Sequence, residues 1–233
     1  MTNFWLMKAE PNSRIVKGKD VKFSVEDFEA VGITSWEGVR NPEARNLMKG
    51  MRVGDKVLFY HSSCKTPGPY MHMEILPIEA YPDYTAWDPK HPYYDPKSEE
   101  ANPKWFMVDV KFISRASHFV PYRLLRQIAA SNVTLPTGLE YLGEKDARVV
   151  KDMDLIRRGR LSVQRVQPEA WDVIKRMTEK GGWSEEVVKG EKDGEGRTTI
   201  VVGVGGKRKR ENENETKTVN GERGRSRVKI LNR

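Results

Sequence analysis

Five apolar or aromatic runs of strand length lie within the first 166 residues: Phe4–Met7, Val57–Tyr60, Met71–Ile78, Trp105–Ile113 and Leu161–Val166. The part of the fourth reading MVDVKFI (107–113) alternates as a half-buried strand does. Helix-start signals separate these runs rather than hairpin turns alone. Ser24 precedes VEDFEAV with Asp27 three residues on, which resembles a capping box, and Asn41-Pro42 sets a cap before EARNLMKG. PYRLLRQIAA from Pro121 and PEAWDVIKRM from Pro168 also begin on proline and have helical apolar spacing. Strands and helices do not alternate regularly, so the chain reads as α+β with a small curved sheet or barrel.

The character of the chain changes near residue 180. The 233 residues carry 41 Lys/Arg against 33 Asp/Glu, a net +8, and the stretch 181–233 alone holds 13 Lys/Arg and 9 Asp/Glu. From Lys207 to Arg233 only Val219, Val228, Ile230 and Leu231 are apolar, too little to offset the entropy of ordering that segment. The expected organisation is one domain over 1–180 and a largely disordered, charged tail over 181–233. IVVGVGG (200–206) has a strand-like composition, but its glycines and isolation argue against a part in the fold. Lys207, Arg208, Lys209 and Arg210 form a candidate nuclear-localisation cluster, equally readable as a phosphate-contacting arm or a solvated linker. No 18 apolar residues run together and MTNFWLMKAEPNS has no signal-peptide pattern, which argues against membrane spanning and secretion. A lone cysteine, Cys64, offers neither an internal disulfide nor a zinc site. The basic excess favours an acidic partner, most simply nucleic acid.

His61, Ser62 and Cys64 invite a catalytic reading, but neighbours on a strand point to opposite faces and no orienting third group is evident. Nucleophile elbow, His-Glu-x-x-His and phosphate-binding glycine loop are all missing from the sequence. His72, His91 and His118 stand alone, so no metal and no cofactor is expected. Aromatics beside polar groups are more informative. Trp36 begins WEGVRNPEARN, Tyr60-His61-Ser62 closes an apolar strand, and Trp105 starts another. Rings stack on a planar base while Asn, Ser or His pair with its edge, the chemistry of a site that reads an unstacked base. The competing reading is that these tryptophans are core residues. The segment 81–103, with prolines at 82, 89, 92, 96 and 103, is long for a structureless loop, which suggests either function or packing by its own aromatics.

FWLMKAEP (4–11), WEGVRNPEARN (36–46), VLFYHSSCKTPG (57–68), EAYPD (79–83), HPYYDPKS (91–98), NPKWFMVDVKF (102–112) and LIRRGRLSVQRV (155–166) follow one another in the order and spacing of the EVE domain, which this chain resembles over about residues 3–180. The resemblance implies a PUA-like curved β-barrel of about five to six strands with peripheral helices. It also implies a non-catalytic, nuclear module that reads a modified nucleobase, a modified cytosine in DNA before RNA; separately, the chain is expected to be a monomer. Carried over block by block, it suggests base contacts from Trp36, Val39, Asn41, Tyr60, His61, Ser62, Trp105, Ser162 and Gln164, and phosphate contacts from Lys8, Arg40 and Arg45. One departure stands out: Pro69-Tyr70-Met71-His72-Met73-Glu74 replaces a short aliphatic and small-residue run. Proline cannot donate to a sheet ladder, so the start of that strand and the pocket wall beside it are expected to be disturbed. Two other readings compete with a base reader: an enzyme on a modified nucleotide using His61 as acid or base, and a protein-interaction adaptor docked on chromatin by its tail.

Overall fold

A computed structural model describes residues 2–76, 79–131 and 135–184. Pro77 and Ile78, the tail beyond Ser184, the 200–206 run and the Lys207–Arg210 cluster lie outside the described residues. The main sheet contains β1 (Phe4–Ala9), β4 (Ile33–Ser35), β5 (Lys56–His61), β6 (Gly68–Ile75), β9 (Asp109–Arg115) and β10 (Val163–Val166). Two short pairs flank it: β2 (Ile15–Val16) with β3 (Lys19–Asp20), and β7 (Tyr81–Pro82) with β8 (Phe106–Met107). The helices among the described residues are α1 (Val25–Val31), α2 (Pro42–Lys49), α3 (Tyr122–Ala130), α4 (Glu144–Asp152), α5 (Asp154–Arg157) and α6 (Pro168–Lys180).

Strand order in the main sheet is β10-β1-β5-β6-β9-β4. β1 and β5 run parallel, from Phe4 opposite Lys56 to Ala9 opposite His61, and the other neighbours are antiparallel. β10 and β4 are the outer strands of an open sheet, so the architecture is a mixed α+β sheet with helices around it, and the strand pairing does not close it into a barrel.

Side-chain alternation explains the unbroken apolar runs in the two central strands. Trp5, Met7, Val57 and Phe59 enter a core with Phe28, Trp36, Met48 and Val110, whereas Leu6, Leu58 and Tyr60 enter a second core with Leu124, Ile128, Trp171 and Ile174. Both faces are covered, so neither set of alternate side chains is left to solvent. Asp55, at the foot of β5, accepts from Trp5 Nε1 (2.9 Å) and from the backbone N–H groups of Asn3 (2.9 Å) and Arg52 (3.0 Å), tying the start of β1 to β5.

Helix starts follow the sequence signals. Ser24 and Asp27 make a reciprocal capping box on α1, and Asn41 Oδ1 accepts from the N–H groups of Glu43 (2.9 Å) and Ala44 (3.0 Å) with Pro42 in the first turn of α2. β6 forms despite Pro69. The ladder shifts register between Phe59 and Tyr60, where Pro69 stands opposite Tyr60, as expected of a residue without an N–H. Gly68 is needed there because a Cβ would strike the Val120 carbonyl.

Candidate nucleic-acid interface

The carboxyl end of β1 delivers Lys8, Ala9 and Glu10 to a cleft of about 1130 Å³. The β2–β3 hairpin, the segment 34–41, Ser62 and Ser63 after β5, the turn Gly159–Ser162 and Tyr93 form its other walls. Trp36 and Val39 lie in its floor, both more than nine-tenths buried, and the indole of Trp36 stands edge-on to Phe59 (5.8 Å between centroids) and Phe23 (6.2 Å). Tyr60 enters from the other core, edge-on to Tyr122 at 6.4 Å, with Lys8 Nζ 5.3 Å from its ring centroid.

An ion pair between the half-buried Arg40 and the buried Asp83 fixes the segment that carries Trp36, Val39 and Asn41. Arg40 donates from Nη1 to Asp83 (2.6 Å), from Nη2 to Thr85 Oγ1 (3.0 Å) and from Nε to the Tyr93 carbonyl (2.7 Å). Asp83 is fully buried and also accepts from the Gly38 N–H (2.9 Å). Burial pushes its carboxyl up, but the hydrogen bonds from Thr85 and Arg40 and the Arg40 charge outweigh that and hold it below the usual carboxylate range. Gly38 has φ +79°, and a Cβ there would lie 2.5 Å from the Tyr93 ring. The proline-rich 81–103 segment is therefore a wall strapped onto the cleft by its own tyrosine and aspartate, with a 3₁₀ turn at Tyr84–Ala86.

The electrostatics are mixed. Lys8 Nζ donates to the Gly159 carbonyl (2.6 Å), and burial lowers its pKa to about 8. Among the described residues Lys8, Lys19 and Arg160 have no carboxylate partner, whereas Arg14 pairs with Glu10 (2.6 Å) and Lys22 with Asp27 (2.9 Å). His91 Nε2 lies 3.1 Å from Glu37 Oε1 across the mouth.

The sequence pattern of the EVE domain matches residues 3–177, nearly all of the described chain. The chain belongs to the EVE domain family. Thymocyte nuclear protein 1 of Homo sapiens is 42% identical over 182 residues, covering 77% of this chain and 76% of that protein. Its counterpart in Danio rerio is 44% identical over 172 residues, 73% of this chain and 69% of that protein. The solved structure of human thymocyte nuclear protein 1 in complex with 5-methylcytosine-containing DNA superposes with a TM-score of 0.66, covering 77% of this chain and 99% of that one. A crystal structure of a protein from Pseudomonas putida is 34% identical with a TM-score of 0.57, covering 75% of this chain and 99% of that one.

Within this EVE domain the residues singled out by sequence divide into two groups. Lys8, Trp36, Val39, Arg40, Asn41, Tyr60, Ser62 and Ser162 line the cleft together. His61, Trp105, Gln164 and Arg45 do not. His61 is buried, its Nε2 accepting from the Val25 N–H (3.0 Å) at the start of α1, and burial lowers its pKa to about 4. Gln164 donates from Nε2 to the Arg158 (3.1 Å) and Leu161 (3.0 Å) carbonyls, bracing the turn that carries Arg160 and Ser162. Trp105 donates to Asp95 (2.7 Å), and that bond, the Lys97 N–H and Lys104 hold the Asp95 pKa down at about 2. Arg45 sits 5.6 Å from the Trp105 ring and donates to the Lys104 carbonyl (3.0 Å). Sequence reasoning missed Phe23, Tyr93, Tyr122, Lys19 and Arg160. Of these, Tyr93 and Arg160 stood inside the HPYYDPKS and LIRRGRLSVQRV blocks, while nothing local marked Lys19 or Phe23.

Proposed function

We propose that this EVE domain is a non-catalytic reader of a modified base, first among them a modified cytosine in DNA, acting in the nucleus as a monomer. The observation that carries the reading is the cleft: an aromatic and aliphatic floor with amide, hydroxyl and ammonium groups on its rim. The human relative's complex with 5-methylcytosine-containing DNA supports the ligand class, and that relative's name supports the compartment. Trp36, Val39 and Tyr60 shape a slot for a planar ring, and Asn41, Ser62 and Ser162 stand where its edge can be read. Among the described residues of the cleft, Lys8, Lys19 and Arg160 are the cations without a carboxylate partner, and they are the ones to take phosphate, Lys8 with the donors its Gly159 bond leaves over. Arg40 has its donors on Asp83, Thr85 and Tyr93, so its part is to hold the wall. His61, on which an enzymatic reading rested, has Nε2 engaged with Val25 outside the cleft lining.

The test is titration of the full chain, at fixed salt, with duplexes identical except for cytosine or 5-methylcytosine at one position. Asn41→Asp keeps a capping oxygen on α2 but removes the amide donor and adds a negative charge at the rim. Preference for the modified duplex, lost in Asn41→Asp at an unchanged melting temperature, is expected. Equal affinity of the wild-type protein for both duplexes overturns the reading.

A further inference from the structure

The β2–β3 hairpin stands at the mouth of the cleft and contributes Arg14, Lys19, Asp20, Val21 and Lys22 to its wall. Its turn is as tight as a hairpin allows, Lys17 and Gly18 both having positive φ (48° and 77°). A two-stranded ribbon of this length is marginal alone, yet this one is fastened from within and from outside. Asp20 accepts from Ser13 Oγ (2.7 Å) and from the N–H groups of Arg14 and Lys22 (3.0 Å each), Val21 N–H donates to the Arg14 carbonyl (3.0 Å), and Lys17 Nζ lies over the Tyr94 ring at 5.0 Å. On this anchored frame Ile15 is 64% exposed, the most exposed large apolar side chain among the described residues. A scattered surface isoleucine means little by itself. This one sits on an anchored hairpin beside a cleft that a paired base reaches only by leaving its stack, and it stands opposite Asp20, whose carboxylate is taken up by Ser13 and the Arg14 and Lys22 N–H groups.

We propose that the hairpin is a wedge: Ile15 enters the duplex at the step vacated by the target base as that base turns into the cleft. An apolar side chain inserted at a base step fills the space between the separated neighbours and offsets part of the cost of unstacking them. The ordered hairpin meets the duplex with little further ordering cost. This inference rests on the base-reading function proposed above and adds to it how a base in a duplex is reached.

The experiment uses the full chain and Ile15→Ala with three probes carrying 5-methylcytosine: a paired duplex, the same duplex with an abasic site opposite the target, and the single strand. 2-Aminopurine next to the target reports unstacking in each. Wild-type protein is expected to raise 2-aminopurine fluorescence in the paired duplex. Ile15→Ala is expected to suppress that rise and to weaken binding of the paired duplex about tenfold, while changing affinity for the single strand by less than twofold and leaving the melting temperature unchanged. A wild-type protein that prefers 5-methylcytosine duplex without any fluorescence rise overturns the wedge alone, as does an Ile15→Ala variant that loses affinity equally on all three probes or on none. A wild-type protein indifferent to 5-methylcytosine in all three forms overturns the base-reading function, and the wedge with it.

Discussion

One face of the six-stranded sheet is closed by α3, α4 and α6 and filled mainly by aliphatic side chains such as Leu124, Leu125, Ile128 and Ile174. The other is closed by the short helices α1 and α2 and by loops, and its core is rich in rings: Trp5, Phe28, Trp36 and Phe59. The helical face is sealed chiefly by apolar packing. The loop-covered face needs polar ties, Arg40 to Asp83 and Gln164 to the 158–161 turn, to hold backbone that has no helix to satisfy it. Where those loops meet, the cleft forms. The cleft of this fold is thus made where packing gives way to hydrogen bonding.

The contrast can be broken most severely at Arg40. Arg40→Ala leaves the Asp83 carboxylate buried without its cation and is expected to cost about 3–5 kcal/mol, measured by urea denaturation, together with the cleft's affinity. Arg40→Lys restores charge without the three-way fork and should recover only part. On the helical face Leu124→Ala should cost about 2–5 kcal/mol through the cavity it leaves. The ratio of affinities for modified and plain duplex should stay at the wild-type value, because no tie to the cleft is touched. If that ratio collapses, the two faces are not independent.

Smaller effects sharpen the same division through pH. His61 is neutral when folded, with its pKa lowered to about 4 from the ordinary 6.5, so between those values the unfolded chain binds the proton and the folded one does not. Stability therefore rises with pH through that window and falls by on the order of 2–3 kcal/mol as pH drops from about 6.5 to 4. Denaturation midpoints measured across that range should show the slope, and His61→Gln should flatten it. Lys8 gives the smallest effect. Its ammonium is lost through about pH 8, so duplex affinity at constant salt should decline a few-fold from pH 7 to pH 9 in the wild-type protein and not in Lys8→Gln.

Much of this fold was legible because its local signals agree with its tertiary demands. Phe4–Met7 and Val57–Tyr60 are unbroken apolar runs because both faces of β1 and β5 are buried, and Ser24, Asn41 and Pro168 mark helix starts because capping acts within a few residues. α4 escaped notice because EKDARVVKD buries only Ala147 and Val150, and β4 because Ile33–Ser35 is a three-residue outer strand. The expected Trp105–Ile113 strand is two strands interrupted at Val108, whose carbonyl accepts from the Trp36 N–H (2.8 Å). For the cleft, residue type was readable and direction was not. Trp36, Tyr60 and Ser162 line it while Trp105 and Gln164, from blocks of the same composition, support it from behind. Only the pairing of distant segments decides which way each side chain faces.

The placement of β1 has a consequence for how the domain comes into being. β1 is an inner strand of the sheet, paired on one side with β5 and on the other with β10, so its second neighbour leaves the ribosome long after it does. Until residues 163–166 emerge, an apolar strand keeps one row of N–H and C=O groups unpaired. Completion of the sheet is thus a late, long-range event, and a chain cut short before Val163 should surrender its exposed strand to chaperones or to another copy of itself.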